Sequence, residues 1–261
     1  MEKIIIYTCI TGGYDSLKQP LAIAEGFEFI CFVQKGMKNA EYDGVWKLEE
    51  IPFEWDDLQL LSRFPKMNPH SVLPEDIHWS LWMDANIRIT DGSIYQLCRG
   101  LQERGVKYAG VKHPFNDCAY SEALKCLYDR RDSLGNLLKT IKFLRKNHLK
   151  EHAGLMENNL IFREHFDPAV EEFDKWWWEC MVLHSHRDQL THTFCLLDTP
   201  SLKAEYLLPE GVTARNFPGL EYTGHPKKEL DWWHRKMKYG LNKPEGLILK
   251  FYTRISKLIY K

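Results

Sequence analysis

The sequence predicts an α/β fold built on a mixed, mostly parallel sheet that helices flank. Residues 3–10, KIIIYTCI, form an unbroken run rich in β-branched side chains, which is typical of a strand buried on both faces. Residues 27–33, FEFICFV, form a second such run, and a third short strand begins at 46–48. Residues 94–104 have helical spacing and precede another short apolar run at 108–111.

More helices are predicted in the second half of the chain. Residues 121 to about 152 are predicted to form one or two charged amphipathic helices with a break near Gly135. A short buried strand at 160–162 follows, and then a helix at 173–183 that contains three successive Trp residues. Earlier in the chain, residues 62–70 contain Pro65 and Pro69, which argue against a long helix through the middle of this segment.

Composition limits the function and the location. With 261 residues the chain is long enough for one large α/β domain or for a domain with a small appendage. A net charge of -1 argues against a nucleic-acid binder, whose surface would be basic. Seven cysteines without a CxxC pair predict free thiols in a reducing cytoplasm. Without a signal peptide or an apolar stretch of roughly 18 residues, we expect a soluble or peripheral protein.

An acidic residue stands where a buried strand ends. The apolar residues 80–83 are followed by Asp84 and Asn86, whose side chains point to the same side if the segment is extended. Two oxygen donors suit a hard divalent ion, Mn²⁺ or Mg²⁺, that keeps waters and also grips substrate phosphates. The alternative is an Asx turn that closes the strand.

Two further segments are candidates for contact with an anionic ligand. Gly12 and Gly13 follow the first buried strand and allow a backbone to approach a ligand closely, although they also suit a simple turn. Arg63 and Lys66 precede the acidic motif. These two cations are predicted either to hold a diphosphate or an acidic residue, or to remain solvated on the surface.

Six segments of the chain together resemble the glycosyltransferase-like domain of plant mucilage-synthesis proteins and their bacterial relatives. The segments keep their order from about residue 5 to about residue 195. They are residues 10–15 (ITGGYD), 62–66 with 69–70 (SRFPK, PH), 80–84 (SLWMD), 112–114 (KHP), 154–157 (GLME) and 187–190 (RDQL). The chain is similar, more distantly, to the family 8 retaining glycosyltransferases. These resemblances imply a GT-A-like nucleotide-diphospho-sugar transferase fold.

The resemblance also implies which residues contact the nucleotide sugar. Tyr14 would stack on or beside the base, and basic side chains would reach the diphosphate or the donor sugar. The implied nucleotide-sugar-binding residues are Thr11, Gly12, Gly13, Tyr14, Arg63, Lys66 and Lys227.

The same resemblance implies metal ligands and catalytic residues. The implied metal ligands are Asp84, Asn86 and His225. The residues implied around the anomeric carbon are Glu157, Asp188 and Gln189. Asn86 departs from the Asp that is more usual at this position, and a neutral amide contributes less charge to a metal site.

The function predicted from these features is metal-dependent glycosyl transfer of the hexosyltransferase type. The expected donor is a nucleotide-diphosphate sugar, a UDP-sugar in the first place. The expected acceptor is a glycan or a lipid-linked glycan in the synthesis of a surface polysaccharide such as a bacterial capsule. The competing interpretation is a non-catalytic nucleotide-sugar or glycan-binding module with the same fold, an alternative that Asn86 leaves open.

The C-terminal residues predict a separate tail. We expect a catalytic domain over residues 1–235 and a basic amphipathic helical tail over 236–261, where seven Lys and Arg residues face a single acid, Glu245. Apolar residues recur there at intervals of three and four from Gly246 onward. Such a helix is predicted either to contact the inner face of the cell membrane or to pack its apolar stripe on the catalytic domain or a partner subunit.

Overall fold

The computed structural model describes residues 2–223 and 243–260. The chain divides into two compact units that we describe separately. The first unit comprises Met1–Pro114, Glu157–Trp178 and Thr199–Pro226. The second comprises Phe115–Met156, Glu179–Asp198 and Lys227–Lys261.

Ten strands are found in the described part of the chain. They are β1 (Ile4–Ile10), β2 (Phe27–Val33), β3 (Tyr42–Asp43), β4 (Trp46–Glu50), β5 (Trp79–Met83), β6 (Ile87–Ile89), β7 (Tyr108–Lys112), β8 (Met156–Glu164), β9 (Ala204–Tyr206) and β10 (Leu220–Tyr222). Eight of them form one sheet in the order β3-β4-β2-β1-β5-β8-β7-β9, and β10 pairs with β6 separately. Strand β1 is parallel to β2 and β5, β2 to β4, and β7 to β9, whereas β8 is antiparallel to β5.

Seven α-helices accompany these strands in the described residues. They are α1 (Leu58–Met67), α2 (Ser93–Glu103), α3 (Ala119–Tyr128), α4 (Leu134–Lys146), α5 (Pro168–Leu183), α6 (Asp188–Asp198) and α7 (Lys243–Ile259). Helices α1 and α2 and most of α5 belong to the first unit, and the others to the second. A short 3₁₀ helix, Pro69–Ser71, follows α1.

The large sheet is covered on both faces within the first unit. Ile4 and Ile6 of β1 lie in one apolar cluster with Ile94 of α2. On the opposite face, the ring of Tyr108 in β7 meets the ring of Phe173 in α5 at a centroid distance of 5.1 Å. Because side chains alternate between the faces of a strand, continuous apolar runs such as β1 fit this double burial. The prediction of a mixed, mostly parallel sheet flanked by helices is confirmed.

The expectation that prolines prevent a long helix through the middle of residues 62–70 is wrong for Pro65, which lies inside α1, whereas the helix does end before Pro69. Helix α1 contains Pro65 and continues to Met67. Asp57 caps its start by accepting hydrogen bonds from the backbone N–H groups of Gln59 and Leu60, at 2.9 and 3.0 Å. Pro65 removes one helical hydrogen bond, and α1 ends two residues later.

The predicted break near Gly135 lies slightly earlier in the chain. Helix α3 ends at Tyr128, and Ser133 caps α4 by accepting from the N–H of Asn136 at 3.2 Å. Gly135 is therefore part of the first turn of α4. Of the one or two helices predicted, the structure has two, and a serine cap sets where the second begins.

The predicted domain boundary between residues 235 and 236 falls outside the described residues, so that division stays a prediction. Helix α7 packs on α3 and α4 within the second unit. Among the helices of residues 2–223 and 243–260, none combines the length and the apolar character needed to cross a bilayer.

An ion pair is buried in the core of the first unit. The Arg163 Nη1 atom of β8 donates to both carboxylate oxygens of Asp174 in α5, at 2.7 and 2.6 Å, and neither side chain is exposed. Burial is costly for either charge alone, so each residue requires the other. The pair therefore links α5 to strand β8 of the large sheet.

Asp174→Asn is expected to lower the free energy of unfolding by about 3–5 kcal/mol, because it leaves the Arg163 charge buried without a counter-charge. The control is Glu171→Gln, which breaks the more exposed Lys175–Glu171 pair of the same helix and is expected to cost less than about 1 kcal/mol. Urea unfolding followed by Trp fluorescence measures both. Equal losses for the two variants would show that the buried pair does not stabilise the core.

Candidate functional site

The Asp84 motif forms a tight turn at the end of β5. The N–H of Asp84 donates to the carbonyl of Asn159 in β8, and the N–H of Ile87 donates to the carbonyl of Asp84, both at 3.0 Å. The premise of an extended segment with Asp84 and Asn86 on one side is therefore wrong. The chain turns here because β6 leaves the large sheet and pairs with β10, and Thr223 donates to the Asn86 carbonyl through its N–H and its hydroxyl.

The carboxylate of Asp84 is held from one side and remains accessible from the other. Its Oδ1 accepts from the indole N–H of Trp82 at 2.9 Å and lies 3.8 Å from the ammonium of Lys66. The Lys66 side chain is 1% exposed, whereas that of Asp84 is 26% exposed. The same ammonium lies over the Trp82 ring, 5.5 Å from the centroid. A buried cation requires a counter-charge, and Asp84 provides one.

Two buried amides beside Asp84 have unused hydrogen-bonding atoms. Neither the Oδ1 nor the Nδ2 of Asn86 has a partner within the described part of the chain, and the same holds for Asn159. Both residues are buried. A polar group buried without a hydrogen-bond partner lowers the stability of the fold by about 1–3 kcal/mol, so such groups are candidates for contact with a ligand. Carboxylate and amide oxygens are ligands for a hard divalent cation, and an ion shared by Asp84 and Asn86 stays a prediction.

A second charged pair lies at the start of β8. The Oε1 of Glu157 accepts from the guanidinium of Arg215, while its Oε2 is buried and has no partner in residues 2–223 or 243–260. Burial lowers the pKa of Arg215, but the hydrogen bond and charge of Glu157 outweigh it and raise that pKa above its ordinary value. The Arg215 side chain is 43% exposed and its guanidinium lies over the Tyr222 ring, 4.6 Å from the centroid.

Arg215 was not predicted as a site residue from the sequence. It lies in a polar turn, where its N–H donates to the hydroxyl of Thr213. The only sequence signal was the turn-rich composition of residues 216–219, just after it. Its contact with Glu157 joins residues 58 positions apart, which periodicity cannot detect.

The predicted nucleotide loop is a tight turn against the start of α1. Gly12 and Gly13 have φ values of 60° and 62°, which glycine adopts without strain. The Thr11 hydroxyl donates to the carbonyl of Leu58 at 2.9 Å, and a Cβ added to Gly12 would lie 2.9 Å from the Leu58 side chain. Tyr14 follows with 65% of its surface exposed. Glycine therefore suits both positions by conformation, and Gly12 also by the space that Leu58 leaves.

Arg63 and Lys66 share one face of α1, because residues three apart on a helix are neighbours. The Nε of Arg63 is buried without a hydrogen-bond partner among the residues that the structure describes. Lys66 is directed to Asp84, as given above. Direct contact of either residue with a donor stays a prediction.

Asp188 and Gln189 are the first two residues of α6, in the second unit. Both are buried, and the Arg187 guanidinium donates to the Gln189 side-chain oxygen at 3.4 Å. Burial lowers the pKa of Arg187, but the charge of Asp188 and the contact with Cys126 help to raise it overall. A carboxylate at a helix start is favoured by the helix dipole, so a capping role for Asp188 remains an alternative to a catalytic one.

The remaining predicted residues, His225 and Lys227, lie outside the described residues. Within residues 2–223 and 243–260, no three His, Cys, Asp or Glu side chains are grouped so as to hold a metal ion. A metal site at Asp84 and Asn86 therefore stays a prediction.

Comparison with protein families identifies the chain's relatives. The family description "TOD1/MUCI70, glycosyltransferase-like domain" matches residues 1–206. The chain belongs to this family. The resemblance seen in the sequence motifs is thereby confirmed, and the matched range includes Asp84, Glu157, Asp188 and Gln189 but not Arg215.

Solved structures give weaker similarities. The chain is 7% identical to mouse xyloside xylosyltransferase 1 in its apo form, covering 78% of this chain and 84% of that one with a TM-score of 0.43. It is 8% identical to the apo form of the glycosyltransferase GlyE of Streptococcus pneumoniae TIGR4, covering 98% of this chain and 64% of that one with a TM-score of 0.41. No curated protein sequence matches the chain significantly.

Asn86→Asp is expected to strengthen Mn²⁺ binding at least about tenfold, because a second carboxylate adds charge to the donor set. Asp84→Ala is expected to abolish binding at this position. Isothermal titration with Mn²⁺ in the presence of a nucleoside diphosphate measures both. The matched control is Asp91→Asn. Asp91 accepts the N–H of Ser93 at the start of α2, and this variant is expected to leave Mn²⁺ affinity unchanged. Unaltered affinity in all three variants would place the metal elsewhere.

Proposed function

We propose that this member of the glycosyltransferase-like family is a metal-dependent hexosyltransferase. Its donor is a nucleotide-diphosphate sugar, a UDP-sugar in the first place. Its acceptor is a glycan or a lipid-linked glycan in bacterial surface-polysaccharide synthesis, at the cytoplasmic side of the cell membrane. The observation that carries the proposal is the grouping of Asp84 with the unpaired amides of Asn86 and Asn159 at the end of β5.

Asp84 and Asn86 would hold Mn²⁺ or Mg²⁺, with His225 proposed as the third ligand. When bound, such an ion neutralises the charge that develops on a leaving diphosphate. Lys66 keeps the Asp84 carboxylate in place, because its buried ammonium lies 3.8 Å from Asp84 Oδ1.

The chain's cations are proposed to hold the donor's phosphates. Arg63 has an unused buried Nε within the described residues, and Lys227 is assigned here from the resemblance. Arg215 is a new candidate, because its half-exposed guanidinium carries donors beyond the one that Glu157 accepts. The turn at Thr11, Gly12 and Gly13 would receive the nucleotide, with the exposed Tyr14 ring beside the base.

The carboxylates are proposed to act on the reacting sugar. Glu157 has one oxygen fixed by Arg215 and one, Oε2, without a partner in the described chain. Such an oxygen is suited to stabilise positive charge at an anomeric carbon or to accept a hydroxyl proton. Asp188 and Gln189 are assigned as catalytic residues from the family resemblance.

The second candidate function is a module that binds a nucleotide sugar or a glycan but does not catalyse sugar transfer. Asn86 favours it, because replacing a carboxylate with an amide reduces the charge available to a metal. The two candidates make the same prediction for donor binding and opposite predictions for turnover.

Incubation of the full chain with a panel of nucleotide sugars tests the proposal. In Mn²⁺ we expect release of free nucleoside diphosphate for at least one donor, with loss of release in EDTA and in Asp84→Ala. Asp91→Asn is the control and is expected to keep full activity. Donor binding that is metal-dependent but unaccompanied by any release, with acceptor glycans present, would support the binding module instead.

Asp188→Asn is expected to lower kcat by at least about a hundredfold with little change in donor affinity, as loss of acid–base assistance does. Asp198→Asn, at the exposed end of the same helix, is the control. Thermal unfolding is recorded for both variants. A reduced melting temperature with unchanged kcat in the folded fraction would make Asp188 a helix cap and contradict its catalytic role.

A further inference from the structure

Helix α7 packs on its neighbours through a narrow face of mostly small or polar residues. Leu249, Gly246 and Ser256 are buried on this face, and α7 lies against α3 and α4 of the second unit. A Cβ added to Gly246 would lie 2.5 Å from the hydroxyl oxygen of Tyr128 in α3. Glycine at this position therefore permits the close approach of the two helices.

The opposite side of α7 is an exposed apolar stripe. At a helical repeat of about 3.6 residues, its members share one face. Its exposed members are Leu247 (67% exposed), Ile248 (52%), Phe251 (66%), Leu258 (67%) and Ile259 (63%), whereas Tyr252 and Ile255 of the same stripe are half-buried. Among the described residues, a different face of α7 makes the contacts with α3 and α4, so this stripe is not the face that packs within the second unit.

Cations follow one edge of this stripe. Lys250, Arg254 and Lys257 occur at a spacing of four and three residues, which places them together beside the apolar side chains. Lys250 and Arg254 are exposed, and the ammonium of Lys257 lies 2.7 Å from the carboxylate of Glu151. Helix α4, which packs against α7, adds exposed lysines at its surface. These are Lys139, Lys142 and Lys146.

The charge of the whole chain is divided unevenly between the two units. The sequence of the second unit contains 19 Lys and Arg residues and 11 Asp and Glu residues, whereas the first contains 16 and 25. A chain with a net charge of -1 thus confines its excess of positive charge to the unit that carries α7. This asymmetry favours an anionic partner for the second unit.

We propose that α7 docks on an anionic membrane surface. The stripe from Leu247 to Ile259 enters the boundary between headgroups and acyl chains, and Lys250 and Arg254 contact the anionic headgroups. This inference goes beyond the proposed function, because it depends on α7 alone and not on the sugar-transfer site. It brings the enzyme to a surface where lipid-linked acceptors reside.

A second copy of the chain is a poorer occupant of this face. One helix stripe offers less than the roughly 800 Å² per partner that stable protein interfaces bury. Two copies joined through it would also bring their rows of cations together. A lipid surface satisfies both the apolar residues and the charges.

Co-sedimentation of the full chain with vesicles tests the proposal. The vesicles contain phosphatidylcholine alone or phosphatidylcholine with phosphatidylglycerol. We expect binding to the mixed vesicles that weakens with added salt, and at least tenfold weaker partitioning onto phosphatidylcholine alone. Lys250→Gln with Arg254→Gln is expected to weaken partitioning roughly 25-fold, about fivefold for each cation.

Phe251→Gln with Leu258→Gln removes two exposed apolar side chains and is expected to weaken partitioning at least tenfold. The matched control is Leu183→Gln with Leu197→Gln, which removes two comparably exposed leucines of the second unit outside α7 and is expected to bind like the parent chain. Circular dichroism verifies folding, and light scattering records the oligomeric state. The proposal would be overturned if the Phe251→Gln, Leu258→Gln variant bound as well as the Leu183→Gln, Leu197→Gln control, or if the parent chain did not bind anionic vesicles. A dimer that the Phe251→Gln, Leu258→Gln variant dissociates would also overturn it.

Discussion

The contact between the buried Lys66 ammonium and the Asp84 carboxylate is the constraint on which the candidate site depends. Lys66 is carried by α1, and Asp84 by the end of β5, so the pair links the helix to the edge of the sheet where the polar groups gather. The carbonyl of Leu58, at the start of α1, accepts a hydrogen bond from the Thr11 hydroxyl. These two contacts link the N-terminal loop, α1 and the Asp84 turn.

The unpaired polar atoms of Asn86, Asn159 and Glu157 support the proposal that this site binds a charged ligand. The amides of Asn86 and Asn159 and the Oε2 of Glu157 are buried within the described chain and lack partners. Burying these atoms without partners lowers the stability of the fold. A ligand that completes their hydrogen bonds or coordination offsets that loss. A preorganised group of this kind favours ligands with concentrated charge, such as a metal-bound diphosphate.

The fold was largely predictable because its strands are local patterns, whereas the site depends on contacts that sequence patterns do not record. The apolar runs of β1 and β2 match their strands closely, and the family motifs indicated Asp84 and Glu157. The sequence left a turn at Asp84 as an alternative, but it could not show that β6 pairs with β10, more than a hundred residues later. Arg215 was missed for the same reason. Pro65 was misinterpreted because α1 holds this proline near its C-terminal end, where only two helical residues follow it.

The account's central claim is that the donor diphosphate binds at the end of β5 through a metal held by Asp84 and Asn86. Crystals of the full chain soaked with Mn²⁺ and UDP test it most directly, by the position of the manganese anomalous signal. The account predicts a peak within coordination distance of the Asp84 carboxylate and the Asn86 amide oxygen, with the diphosphate on the same ion. Ordered UDP bound away from Asp84, or a manganese peak that neither residue contacts, would contradict it.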